Sequence, residues 1–387
     1  MRIALIVPGG VDRGGRERVI PVLLALIERL ARRHQVLVVA LKQEKDWCRY
    51  PLLGATVVNL GEVNGLGRVA RWMIRLRRLM ASLRSEGGRF DVLHAFWVRS
   101  QGSLAVAAGR LLRVPVIVSI GGGELVWLPS IGYGGQGSWL GRAESSLTLR
   151  MAQIVSGASQ YALKPCLARR PDALWVPLGV DLPTFDGPAD RDPGPPWRLL
   201  QVADLNLVKD QLTLLKAIRM VASAAGEVHL DCIGVDTLDN RCQQAAASLG
   251  LDGCVTFRGF QPLDAIIPFY RRAHLFVQSS VHESMGAAVL EAAAAGVPTV
   301  GTAAGLVAEM SPEASVAVPV RDPQALGEAI LKLLCNGPER ARMGQAAQRF
   351  ARTYDADWTA KQFEGLYTRL VERSSIREGA DGQPAGS

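Results

Sequence analysis

Short apolar, partly β-branched runs alternate with longer amphipathic segments along most of this chain, and the alternation is played through twice. The first half offers IALIV, QVLVVAL, ATVVNL, DVLHAFW, VPVIVSI and AQIVSGAS; the second offers RLLQVA, VHLDCIG, CVTFRGF, HLFVQSS, PTVGTA and SVAVPV. Segments such as ERVIPVLLALIERLARR and DQLTLLKAIRMVASAA lie between them. Continuous apolar strands are covered on both faces, and helices between consecutive strands require parallel crossovers. The pattern therefore predicts an α/β chain with two Rossmann-like, doubly wound parallel sheets. A length of 387 residues fits two domains. The Pro/Gly/Asp-rich stretch LPTFDGPADRDPGPPW divides them. The expected organisation is a domain over 1–185, a linker over 186–197, a second domain over 198–352, a terminal helix over 353–373 and a disordered polar tail over 374–387. Ligands of such sheets lie outside the carboxyl ends of the strands, and in a two-domain version in the cleft between domains.

Composition narrows the class. Hydrophobic residues at 48% and charged residues at 21% supply an ample core for a globular protein. No run reaches the roughly 18 apolar residues of a membrane span. MRIALIVPGG reads as a first strand entering a glycine turn, not as a secretory leader. The six cysteines form no C-x-x-C pair, which favours reduced thiols and a cytoplasmic setting over disulfides or zinc. Residues 1–185 hold 25 Lys+Arg against 12 Asp+Glu, whereas the remainder holds 19 against 24. Arg68, Arg71, Arg75, Arg77, Arg78 and Arg84 interrupt Trp72, Met73, Ile74, Leu76, Leu79, Met80 and Leu83. That spacing reads either as a basic helix lying on anionic lipid headgroups or as a surface helix with its apolar stripe in the core. No nucleic-acid module accompanies the charge.

Chemistry concentrates in SSVHESMGAAVLEAAAAGVPTVG. Glu283 stands just before a helix that opens near Gly286, Ala287, Ala288 and Val289; Glu291 lies inside that helix, which ends at Gly296 ahead of Pro298. Free N–H groups and the positive end of the helix dipole suit a phosphate held between the two carboxylates. A capped core helix with an exposed Glu283 is the competing reading.

Lys209, in the loop after RLLQVA, could neutralise a leaving diphosphate. Gly14 and Gly15, followed by Arg16, form a turn after the first strand that could admit an anion or simply reverse the chain. Gly122, Gly123 and Glu124 follow VPVIVSI and read as a ligand-facing loop or as plain turn chemistry. His94, near a strand end, is either a packed, hydrogen-bonded residue or an acid–base group. The match of Gly132–Gly137 to G-x-G-x-x-G lacks a strand–turn–helix setting, and the D-x-D spacings at Asp190–Asp192 and Asp355–Asp357 are discounted as metal sites.

With Glu283, Gly286, Glu291 and Ala295-Gly296-Val297-Pro298 in place, the chain resembles retaining glycosyltransferases of the GT-B fold, glycosyltransferase family 4, from Met1 to about Arg373. Gly14-Gly15-x-Glu17-Arg18, Pro177-Leu178-Gly179-Val180-Asp181, Lys209 and PVRDPQALGEAILKLL support the likeness. The resemblance implies two domains facing a central cleft, an N-terminal acceptor domain and a final helix that crosses back to it. It implies that Glu291 holds ribose hydroxyls and that Glu283 faces the donor sugar. The Gly286–Val289 amides and Lys209 would meet the diphosphate, and Phe260 would lie against the base. The family usually has Arg where this chain has Asp204, with Asn206 nearby, and often His where it has Gly121. Arg16 or Arg18 could replace the lost charge, and His94 the lost imidazole.

The expectation is a metal-independent, cofactor-free retaining enzyme moving a sugar from a nucleotide-diphosphate donor to a saccharide or lipid-linked acceptor, in cell-envelope or exopolysaccharide synthesis. The setting is cytoplasmic, with an anionic membrane surface as a further partner. The alternatives are a catalytically weakened nucleotide-sugar-binding partner protein and a nucleotide-sugar epimerase on the same fold.

Overall fold

The computed structural model describes residues 1–185 and 187–381 and resolves into two compact units. Unit 1 comprises Met1–Ala158, Leu163–Leu178 and the chain from Ala356 onward; unit 2 comprises Ser159–Ala162 and Gly179–Asp355. The Pro-rich stretch thus belongs to unit 2, in which its Phe185 packs edge-on against Tyr270, with centroids 5.9 Å apart.

Unit 1 is built on β1 (Arg2–Val7), β2 (Gln35–Ala40), β3 (Cys48–Leu52), β4 (Ala55–Asn59), β5 (Val92–Phe96), β6 (Val116–Ile120), β7 (Ile154–Gly157) and β8 (Leu174–Trp175). Their order is β3-β4-β2-β1-β5-β6-β7-β8. All pairings are parallel except β3 with β4, a hairpin that the apolar pattern did not disclose. Its turn is Leu53-Gly54, both at positive φ as a tight two-residue hairpin loop demands. Pro51 is tolerated there because β3 is an edge strand.

Unit 2 is built on β9 (Trp197–Val202), β10 (Val228–Ile233), β11 (Val255–Phe257), β12 (Leu275–Gln278), β13 (Thr299–Thr302) and β14 (Ser315–Val318), in the order β11-β10-β9-β12-β13-β14. The order runs outward from β9 and restarts at β12, the doubly wound arrangement expected from the sequence. Its ligand-binding switch point is where β9 and β12 lie side by side.

The terminal helix spans Ala356–Asp381 and belongs to unit 1. It buries Phe363, Leu366, Tyr367 and Leu370 in the same core as Leu23, Ile27 and Val38. Each fully buried side chain of this kind contributes about 1.5–3 kcal/mol. The helical backbone continues through Asp381, past the position at which the polar tail was expected to begin. Residues 382–387 lie outside the described residues. The first long helix starts later than its apolar period suggested, at Pro21. Val19 is still bridged to Gly10, and Pro21 occupies the first helical turn, where its missing N–H costs nothing.

All six cysteines are unpaired. Among the described residues no helix is long and apolar enough to cross a membrane. In the helix Arg68–Ser85, Leu76, Leu79, Met80 and Leu83 are core residues, Arg68 pairs with Glu144 at 2.7 Å, and Arg78 donates to the Leu60 carbonyl. The basic helix is therefore packed along its C-terminal half, and only Val69 and Met73 remain as large exposed apolar groups.

Candidate functional site

The loops that leave β9 and β12 meet at the switch point of unit 2. Val281 N–H donates to Val208 O at 2.8 Å and Ser279 Oγ to Lys209 O at 2.8 Å, fastening one loop to the other. Asn206 braces the first loop, its Oδ1 accepting from the backbone N–H of Val208 and of Lys209. Asp210 then begins the helix Gln211–Ala225, its side chain accepting from Thr213 N–H. Thr302 Oγ1 donates to Ser280 O at 2.6 Å and Leu306 N–H to Met285 O at 2.8 Å, anchoring the second loop to β13 and beyond.

This scaffold brings together the two residues expected to do chemistry. Lys209 Nζ lies 2.6 Å from Glu283 Oε2, and Ser280 Oγ donates to the same oxygen at 3.1 Å. The side chains are 24% and 14% exposed, accessible to a ligand yet screened from bulk water. Tyr161 sits close enough for the Glu283 charge to act on it. Burial first, and that charge second, push its phenol above the ordinary range.

Glu283 is followed by Gly286 at φ +90, a conformation that favours glycine, and then by the helix Ala287–Ala294. The helix opens with no side-chain cap. Val289 N–H turns back to Gly286 O at 2.9 Å, so of the expected phosphate-facing amides the Val289 group is occupied and those of Ala287 and Ala288 lead. Two buried polar atoms beside this helix start lack a hydrogen-bond partner among the described residues, Gln278 Nε2 and Ser284 Oγ. A buried unsatisfied group costs about 1–3 kcal/mol, so a ligand that supplied a partner would gain by it.

Glu291 is only 5% exposed, and Tyr270 OH donates to its Oε2 at 2.7 Å. Burial pushes this carboxyl up, opposed by the Tyr270 bond; burial, then the Glu291 charge, pushes the Tyr270 phenol well up. Phe260, on the loop after β11, is 47% exposed and free to stack.

Other expected site residues serve the fold. His94 is fully buried in unit 1, its Nδ1 2.8 Å from Tyr367 OH and its Nε2 2.7 Å from Ser119 Oγ. Burial alone lowers its pKa to about 3, so it stays neutral and does no acid–base work in this arrangement. Its two partners correct the catalytic expectation to the packed one. Glu124 accepts from the N–H groups of Val98, Gly121 and Gly122 and acts as a staple of the loop after β6. Gly122 donates to that staple, and a Cβ on Gly123 would lie 2.4 Å from the Tyr133 ring. These contacts account for glycine at both positions and favour the turn-chemistry reading of the loop. Gly14 N–H donates to Asp12 Oδ2 and Gly15 N–H to Asp12 O, so the turn's amides already hold an internal partner. Arg18 is paired with Asp12 and Glu44, while Arg16 stands exposed in the same turn. Asp204, which replaces the family's usual Arg, accepts from Val235 N–H.

Sequence reading missed Tyr161, Gln278, Ser280, Ser284 and Tyr270. Ser280 and Ser284 were adjacent to a recognised motif and could have been included; Tyr161 and Tyr270 carried no local signal.

Residues 188–350 match the family model described as Glycosyl transferases group 1, and residues 19–179 match that described as Glycosyl transferase 4-like domain. A D-inositol 3-phosphate glycosyltransferase of Corynebacterium urealyticum is 29% identical over 245 residues, 62% of this chain and 55% of the relative. The corresponding protein of Salinispora tropica is 35% identical over 136 residues, 35% of this chain and 28% of the relative. The chain thus spans about half or less of the length of these curated relatives. Sucrose-phosphate synthase from Thermosynechococcus elongatus superposes with a TM-score of 0.77 at 18% identity, covering 96% of this chain and 100% of that one. Anabaena Alr3699/HepE in complex with UDP and glucose gives 0.73 at 16% identity, covering 94% and 99%. These two likenesses concern the fold.

Proposed function

From the premise that this chain carries the two domains of a GT-B group 1 glycosyltransferase, with a glycosyl transferase 4-like N-terminal domain, we propose that it transfers a sugar from a nucleotide-diphosphate donor with retention of configuration. The observation that carries this reading is the Lys209–Glu283 pair, held 2.6 Å apart where the loops of β9 and β12 meet beside an uncapped helix start. A leaving diphosphate would find one mobile cation in Lys209 and fixed partial charge in the Ala287 and Ala288 amides. Preorganised donors of this kind stabilise developing negative charge without reorganising during the reaction. Because that charge comes from the protein, the reading needs no metal ion or organic cofactor.

Glu283 has a second task. In the unliganded arrangement it holds the Lys209 ammonium, and on donor binding its carboxylate is released toward the sugar. Glu291 would take the ribose hydroxyls with the oxygen not engaged by Tyr270, and Phe260 would stack on the base. The bound UDP and glucose of the Anabaena relative favour a uridine donor. Asn206 acts as the brace of the Lys209 loop, not as a direct ligand.

The acceptor is a saccharide or a lipid-linked sugar, met by the basic N-terminal unit, in envelope or exopolysaccharide synthesis at the cytoplasmic face of the membrane. Val69 and Met73, exposed beside Arg71 and Arg77, support a shallow contact with anionic lipid.

A thermal-shift screen of UDP-, GDP- and ADP-sugars identifies the donor, since a ligand bound only by the folded state raises Tm. Transfer is then followed with saccharide and lipid-linked acceptors, and the product's anomeric configuration is read by NMR. The reading expects a retained anomer from the wild type and none from Glu283→Ala or Lys209→Ala. An inverted product, or transfer surviving both substitutions, contradicts it.

A further inference from the structure

Unit 1 contains a cavity of about 930 Å³ at the amino ends of its strands, the end opposite the loops weighed above for ligand binding. Pro115, just ahead of β6, and Gln153, just ahead of β7, form part of its wall. Three helices bring charge to it. Ser103–Leu112 contributes Arg110 and, one residue past its end, Arg113; Trp139–Met151 contributes Arg150; Ala356–Asp381 contributes Arg373. No Asp or Glu lines the cavity, and among the described residues none of these four guanidiniums forms a salt bridge. Like charges around a low-dielectric wall repel one another and concentrate anions.

Arginine near a helix end has an ordinary structural use, which is to cap the last carbonyls. Here other groups do that. Gly109 O accepts from the backbone N–H of Arg113 and from Val114 N–H at 2.9 Å. Ala152 O accepts from Arg170 at 3.0 Å, as does Leu149 O, and Arg170 is itself paired with Asp172. Arg113 O accepts from Arg89 at 2.8 Å. Arg110, Arg113 and Arg150 are thus not needed to cap these helix ends.

Between the charges the wall is apolar, formed by Val106, Val116 and Leu370. It is also stiff: a Cβ on Gly109 would lie 2.3 Å from Val116 Cγ2, so the helix is pressed onto the strand. Guanidiniums match phosphate oxygens through paired N–H bonds, and the volume exceeds the need of a bare phosphate.

We propose that this cavity is a binding site for an organic phosphate, its anionic head held by Arg110, Arg113, Arg150 and Arg373 and its body laid against Val106, Val116 and Leu370. A soluble phosphate ester and the headgroup of an anionic lipid present the same chemistry. The proposal is independent of the donor site around Lys209.

The test uses the full chain. Inorganic pyrophosphate is titrated calorimetrically into the wild type, Arg110→Glu/Arg150→Glu and Lys209→Ala, and each protein is also sedimented with phosphatidylglycerol vesicles. Pyrophosphate binding that persists in Lys209→Ala and weakens at least tenfold in Arg110→Glu/Arg150→Glu supports the site. Tm should be unaltered by the double substitution, because both side chains are exposed. Sedimentation that also depends on these arginines identifies a lipid headgroup as the source; arginine-dependent pyrophosphate binding without it identifies a soluble phosphate. If neither probe binds, or if binding is indifferent to the charge reversal or lost only with Lys209, the proposal is overturned.

Discussion

The Lys209 ammonium and the Glu283 carboxylate, 74 positions apart in sequence, meet at 2.6 Å. The cation that would neutralise a diphosphate is therefore already engaged before any ligand arrives, and a donor must compete with Glu283 for it. Glu283→Gln removes that competition. It should bind the nucleoside diphosphate at least as tightly as the wild type while losing transfer by roughly 10²–10³-fold, the scale set by removing one stabilising group from an active site. Calorimetry with the diphosphate and an initial-rate assay on one preparation check the two halves.

Glu291 pits stability against binding. Its carboxyl is held inside unit 2, where burial raises its pKa. Between the unfolded and the folded pKa the native state holds the extra proton, so stability attributable to this group falls as pH rises through that window. Glu291→Gln removes the buried charge and keeps an acceptor for Tyr270 OH. It should raise Tm at neutral pH, by about 2–4 °C for relief of about 1 kcal/mol, and weaken donor binding. A melting curve from acid to neutral pH checks the sign: the advantage of the variant grows with pH.

His94 carries the opposite prediction. With a folded pKa of about 3 it stays neutral where an unfolded histidine protonates. Between about pH 3 and 6.5 the unfolded state binds the extra proton, so stability rises with pH across that window. His94→Ala should flatten this dependence and lower Tm, because Tyr367 OH and Ser119 Oγ lose their shared partner. The kcat of the remaining folded enzyme should be unchanged. Loss of kcat without loss of Tm would return His94 to the catalytic set.

Gly286 tests the helix start. Its φ of +90 disfavours any side chain, and an added Cβ would come within 3.2 Å of Gln278 Oε1 and 3.3 Å of Glu283 Cγ. Gly286→Ala should cost about 1–2 kcal/mol in urea unfolding and weaken diphosphate binding as the Ala287 and Ala288 amides shift.

Both sheets were legible because strands such as Val36–Ala40 and Val116–Ile120 are almost wholly apolar and buried, and their alternation with helices pointed to a doubly wound parallel arrangement, though not to the strand order. Of the hairpin Cys48–Asn59 only the ATVVN strand was legible: the Cys48, Tyr50, Leu52 alternation of its partner is short and interrupted by Pro51, and the turn depends on Leu53 at positive φ. Glu283 and Lys209 were each legible from their place at a strand or helix end, but their pairing is tertiary. At the glycine turn Gly14-Gly15 and the loop Gly122–Glu124 the sequence left two readings open for a single reason. Sequence shows which amides could meet an anion, not that Asp12 and Glu124 already occupy them. Composition likewise gave Arg68–Arg84 its basic amphipathic look, while burial assigned Leu76, Leu79 and Leu83 to the core.

Lys209 is the proposed cation of the diphosphate site, and titration of UDP into the wild type and Lys209→Met measures this most directly. The substitution should weaken UDP by at least tenfold with Tm little changed in the absence of ligand, because methionine keeps the packing of a side chain that is 24% exposed and removes only its charge. Equal affinity in the two proteins would contradict it and move the diphosphate away from the junction of β9 and β12.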